Sequence, residues 1–173
     1  MRLFRIKNNY ITADEESGRV VKVKEEYLVS AENYTDAECF ITKYNAEHNT
    51  ERFGPAEYEI VKEKFNYNNI ELNDVLNFDD RDTTCGLIEH FFVEDTDRLF
   101  AVTVRFFGDK EAGEKGYNST YYVPARNAES AIKYVKTNLI KEDADYMITK
   151  TVADNVASIF LTPSIHQELI DRV

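Results

Sequence analysis

A twelve-residue stretch, YLVSAENYTDAE at Tyr27–Glu38, returns 94 positions later as YYVPARNAESAI at Tyr121–Ile132. Tyr27 falls on Tyr121, Val29 on Val123, Ala31 on Ala125, Asn33 on Asn127 and Ala37 on Ala131. Upstream, RLFRI at Arg2–Ile6 returns as RLFAV at Arg98–Val102 with an offset of 96. Downstream, EYEIVKE at Glu57–Glu63 returns as DYMITKT at Asp145–Thr151 with an offset of 88. Order is kept, and the length changes fall between matched stretches, where connections tolerate them. The pattern reads as an internal duplication. It restricts the chain to folds made by packing two similar units.

The periodicity gives the content of each unit. Phe4, Ile6 and Tyr10 alternate with Arg5, Lys7 and Asn9, the period of two of a half-buried strand. Phe100, Val102, Val104 and Phe106 repeat it. Polar turns follow, ADEESG in one copy and GDKEAGEKG in the other, with Gly18, Gly108 and Gly113 as candidates for positive φ. Val21, Val23, Tyr27 and Val29 then share one face of a second strand, as do Tyr117, Tyr121 and Val123.

The period next changes to about 3.6. Ala37, Phe40, Ile41 and Tyr44, and later Ala128, Ala131, Ile132, Val135 and Leu139, mark amphipathic helices with one core face. Asn33 and Asn127 are candidate N-caps, with Thr35 and Glu38 a competing capping box in the first copy. Third strands carry Tyr58 and Ile60, then Tyr146, Ile148 and Val152. The tails Ile70–Leu72 and Ile159–Leu161 suit fourth strands or edge extensions. Thr162 and Pro163 start a last helix docked by Ile165, Leu169 and Ile170.

The expected fold is therefore α+β: a tandem pseudo-repeat of β-β-α-β units, antiparallel sheets each covered by a helix, plus a short C-terminal helix. The first unit takes residues 1–72, a connection 73–96, the second unit 97–161 and the last helix 162–173. A unit of about 60 residues buries only about 60% of its unfolded surface. The two are expected to pack as one body.

The segments YLVSAENYTDAE, ADYMI at Ala144–Ile148 and FFVED at Phe91–Asp95 resemble a Bacteroidales and phage family of small proteins described only as a domain of unknown function. The resemblance covers most of the chain apart from its Asn/Asp-rich middle. Its motifs are strand and helix-start signals without chemistry. It implies a bacterial host cytoplasm and carries over no catalytic residue.

The residues themselves show no catalytic apparatus. The chain has no GxSxG, no phosphate-binding GxxxxGK[ST] and no GxGxxG. His48, His90 and His166 lie far apart, each suited to a surface or satisfied core position. DDRD at Asp79–Asp82 fails as a calcium loop, because Cys85 and Phe91 stand where an EF-hand starting at Asp80 needs Gly and Glu. Cys85 and His90 would form a nucleophile pair only if brought together in space. Cys39, next to Phe40, reads as a buried thiol. Without a signal peptide the compartment reads as reducing and a disulfide is not expected. No run reaches a membrane span, and no metal or cofactor is expected.

The formal charge of −11 disfavours duplex DNA, whose binding depends on Lys and Arg at phosphates. One basic patch is nevertheless implied. If Phe4, Ile6, Val21 and Val23 face the core, then Arg5, Lys7, Lys22 and Lys24 share the opposite face and could meet an anionic partner. Glu25, Glu26, Glu57 and Glu59 are placed to neutralise them. The leading expectation is a non-enzymatic binding or adaptor protein, a phage or mobile-element accessory holding a protein or small anionic ligand between its units. The alternative is a single-stranded nucleic-acid binder using that basic face. An enzyme with an unrecognised site ranks third.

Overall fold

Two antiparallel hairpins set the frame. The computed structural model describes residues 1–64, 69–71, 76–78, 84–92, 98–109 and 111–171. Strands β1 (Arg2–Ala13) and β2 (Val20–Ala31) form the first hairpin, followed by helix α1 (Tyr34–Glu47) and β3 (Glu57–Lys62). Two further strands, β4 (Leu76–Phe78) and β5 (Ile88–Phe92), precede the second hairpin. That hairpin is β6 (Arg98–Phe106) with β7 (Tyr117–Ala125). Helix α2 (Ala128–Tyr134), extended by a π-helical turn at Val135–Leu139, and β8 (Tyr146–Asp154) complete this half. Strand β9 (Val156–Leu161) and helix α3 (Pro163–Ile170) end the described chain. Among the described residues the protein is α+β, with two antiparallel-rich sheets and three α-helices, the last a short C-terminal one.

The halves pair their strands alike. Phe4 lies opposite Val29 and Ile6 opposite Tyr27; Phe100 lies opposite Val123 and Val102 opposite Tyr121. In each half the third strand joins the far edge of the first, giving β3-β1-β2 and β8-β6-β7. Asn33 caps α1 by accepting from the Asp36 amide, and Asn127 caps α2 by accepting from the Ser130 amide. The Thr35–Glu38 box is not the cap. Gly18 and Gly113 take positive φ as expected. Gly108 meets a different need, since a Cβ there would lie 2.5 Å from the Glu114 carbonyl oxygen.

Three apolar clusters result. Phe4, Ile6, Tyr27 and Val29 meet Ala37, Phe40 and Ile41 of α1. Phe100, Val102, Val104 and Val123 meet Ala131 and Val135 of the second helix. The third cluster joins the sheet faces turned away from α1 and α2, with α3 packed into it. Leu3 and Leu28 of one sheet, Leu99 of the other, and Ile70, Ile159, Ile165 and Leu169 form it. Each such fully buried side chain stabilises by about 1.5–3 kcal/mol. The space between the two halves is thus largely packed.

The tails provide the join. Strand β9 leaves β8 after one residue and pairs in parallel with β2, setting Ile159 opposite Leu28. Ile70 makes a parallel bridge to Tyr122 of β7, and the Glu71 amide donates to the Tyr122 carbonyl at 2.9 Å. Each half's tail therefore lies on the other half's second strand. Strand β5 then adds to β9, and β4 to β5, making a six-stranded sheet beside a three-stranded one.

Some expectations of burial are corrected. Val21 and Tyr117 are exposed, because both hairpins run past the ends of their helices. Cys39 is exposed too: the buried stripe Ala37–Phe40–Ile41 leaves it about 100° round the helix from Phe40.

Candidate functional site: a polar groove beyond the first helix

Beyond the C-terminal end of α1, hairpin β1–β2 continues without helical cover. Tyr10, Val21, Val23 and Glu25 on its helix-side face, with Tyr44, His48 and Arg52, line a groove of about 360 Å³. The groove is organised by an amide pair, Asn8 buried and Asn45 half-buried. Asn8, fully buried on β1, donates to Asn45 Oδ1 at 2.8 Å, and the Asn45 amide donates back to Asn8 Oδ1 at 3.1 Å. The same Asn45 oxygen accepts from Arg52 Nη1 at 2.5 Å. Held there, the Arg52 guanidinium stacks over the Tyr10 ring, 3.8 Å from its centroid.

Acidic and aromatic groups complete the wall. The Tyr27 hydroxyl donates to Glu25, and the charge of the same carboxylate reaches Tyr10. Burial, then the Glu25 charge, pushes the Tyr10 phenol up to about 12; burial, then Glu89, does the same for Tyr44. Burial raises Tyr27 as well, with Tyr44 and Glu25 adding to it. All three rings therefore stay neutral donors at physiological pH. The His48 ring packs 4.2 Å from that of Tyr44, and its Nδ1 lies 2.8 Å from the Tyr44 carbonyl oxygen. With Asp14, Glu15 and Glu25 against Arg52, the lining is acidic.

The basic face read from the sequence is partly consumed. Arg5, Lys7, Lys22 and Lys24 do share one sheet face. Arg5, however, turns into the seam between the halves. It donates to Glu63 at 2.5 Å, to Glu26 at 2.8 Å, and through both terminal nitrogens to Asp154 at 2.6 and 2.8 Å. Burial works against its charge, but the bonds to Asp154, Glu63 and Glu26 win and hold its pKa above the ordinary value. Lys7 reaches Glu59 at 3.4 Å in solvent, a pair of small worth. Lys24, with Arg98, Glu26, Asp154, Asn155 and Val156, lines a second groove of about 450 Å³ on the rim between the halves.

His90 and His166, 76 residues apart, come together with His90 Nε2 3.2 Å from His166 Nδ1. Cys85 and Cys39 line one groove. The acidic run at 79–82 lies outside the described residues. Among the described residues no group of three or more His, Cys, Asp or Glu is placed to hold a metal ion. Among them, too, no helix is long and apolar enough to cross a membrane. Sequence reasoning missed Asn8, Asn45 and Arg52. The one signal was Asn8 itself, a polar residue in the core phase of β1.

These features define a small α+β protein with two joined β-β-α-β halves and a polar, tyrosine-lined groove in the first. The chain belongs to the DUF4494 family, a domain of unknown function, which it matches over residues 2–162. No curated protein and no solved structure matches it.

Proposed function

We propose that this is a non-enzymatic binding or adaptor protein descended from a duplicated unit, an accessory of a Bacteroidales phage or mobile element acting in the host cytoplasm. The repeated sequence blocks and the exchanged tails support the duplication. The observation that carries the binding reading is the groove at Tyr10, Glu25, Tyr44 and Arg52. Its size suits a small molecule or one or two side chains of a partner. Its acidic lining and tyrosine faces suit a cationic group, such as a basic side chain presented by a protein.

The test is an amide-shift titration with arginine methyl ester, set against glutamate. Saturable shifts at Tyr10, Val23, Glu25 and Tyr44 with the cation, lost in Glu25→Gln but kept in Glu129→Gln, are expected. Shifts spread over the whole acidic surface, or none in the groove, would remove the assignment.

A second reading keeps the anionic ligand and moves it to the rim groove, where Lys24 and Arg98 approach from opposite halves. Phosphate and a short single-stranded oligonucleotide, titrated in the same way, test it. Shifts centred on Lys24, Arg98 and Asn155 would favour this reading.

A further inference from the structure

Helix α1 and the 3₁₀ turn Thr84–Gly86 are distant in sequence, yet each brings a cysteine to one groove of about 280 Å³. Cys39 and Cys85 line it together with Met1, Asp36 and Thr162. Both are exposed free thiols. Cys39 is near enough to Cys85 to act on the state of its thiol.

The elements that carry them are anchored to each other. Thr84, buried, donates from its hydroxyl to Glu47 of α1, and Leu87 is buried in the same cluster as Phe40. Cys85 has φ 61° and ψ 23°, and it is the one positive-φ residue other than glycine among the described residues. A side chain with a Cβ adopts that conformation reluctantly, and such positions concentrate where geometry serves a purpose. Here the residue in the left-handed turn, Cys85, lines the same groove as Cys39. Burial pushes the Cys85 thiol up, the Lys43 charge opposes this, and Cys39 and Glu47 add to it.

We propose that Cys39 and Cys85 form a dithiol site that closes reversibly to a disulfide by exchange with a low-molecular-weight disulfide. One cysteine thiolate attacks a sulfur of the reagent, forming a mixed disulfide and releasing one thiol. The second cysteine thiolate then displaces the other half, forming the Cys39–Cys85 bond and releasing a second thiol. The protein loses two electrons and two protons, and the reagent gains them. In a reducing compartment the dithiol is the resting form. Oxidation would tie α1 to the segment that leads into β5.

The experiment uses the full chain. Reduced protein is incubated with oxidised glutathione, freed of reagent and weighed intact. The expected product has lost two hydrogens, keeps no glutathione and has no titratable thiol. Cys39→Ser and Cys85→Ser should each retain one glutathione, because the resolving thiol is gone. One equivalent of phenylarsine oxide, which bridges close thiol pairs, should protect both cysteines of the reduced protein from alkylation. Wild-type protein carrying glutathione on either cysteine, disulfide-linked dimers, absence of reaction, or thiols that alkylate despite the arsenical would each overturn the proposal.

Discussion

Ile6 faces Tyr27 in the first half as Val102 faces Tyr121 in the second. One same-face rung further on, the first half sets Asn8 opposite Glu25, while the second sets Val104 opposite Ser119. The next rung sets Tyr10 opposite Val23 and Phe106 opposite Tyr117. In the second half the Phe106 and Tyr117 rings stack 5.0 Å apart and extend the apolar packing. In the first, an arginine caps a tyrosine, and an amide pair replaces aliphatic contact. The second frame places Val104 and two stacked rings at these rungs; the first carries a satisfied polar network that packing did not require. Buried polar groups are costly unless every partner is in place. A local departure from the simplest core is where function is to be sought.

The seam sharpens the contrast. Arg5 stands where the second half has Ala101, and one guanidinium gathers Glu26, Glu63 and the second half's Asp154. Removing it leaves three carboxylates facing one another in a poorly solvated site. Arg5→Met is expected to destabilise by about 3–5 kcal/mol in urea unfolding. Arg5→Lys should recover only part, because an ammonium cannot make the two-pronged bond to Asp154. A loss below about 1 kcal/mol for Arg5→Met would show that the halves are held by Leu3, Leu28 and Leu99 without it.

The first sheet alone is widened by β5, and with it comes His90. Burial, then the charge of His166, lowers the His90 pKa to about 4. The folded protein thus resists protonating His90, while the unfolded chain accepts the proton near pH 6.5. This contribution is complete above pH 6.5 and is lost as pH falls toward 4, by roughly 3 kcal/mol in all. Thermal unfolding followed from pH 7 to 4.5 should show the decline, and His90→Leu should flatten it relative to wild type. Parallel profiles for the two proteins would mean that His90 does not titrate differently on folding.

The smallest effect comes from making the first half resemble the second. Asn8→Val should cost about 1 to 2 kcal/mol by leaving the Asn45 amide without its acceptor. Adding Asn45→Leu should restore much of that stability, yet release Arg52 and abolish the groove's amide shifts with arginine methyl ester. Retained binding in the double variant would separate the groove from the polar network.

Much of the frame was legible because it is local. Hairpins follow from alternation and turn glycines. The helices follow from a 3.6 period begun by Asn33 and Asn127, whose side chains close the first turn whatever lies around them. The third strand was legible only in part. By pairing, Tyr58 corresponds to Ile148 and not to Tyr146, because Tyr58 meets Asn8 and Ile148 meets Val104, next to a register shift at Thr103/Val104. Alignment finds similar letters, whereas strand pairing depends on the length of the connection and on bulges. The candidate site was barely legible. Asn8 could be seen as a polar intruder, but its partner Asn45 lies 37 residues away and Arg52 is seven further on.

The sequence by itself determined the α+β class, the two hairpins, the helices and their asparagine caps, since each depends on neighbours within one or two elements. Tertiary structure alone decided that the tails cross over, that Arg5 reaches Glu26, Glu63 and Asp154 at the seam, that His90 meets His166, and that Cys85 and Cys39 share one groove. The physical reason is common to all of these. A contact between residues far apart in the chain leaves no periodic trace, and its energy is realised only after both elements have packed.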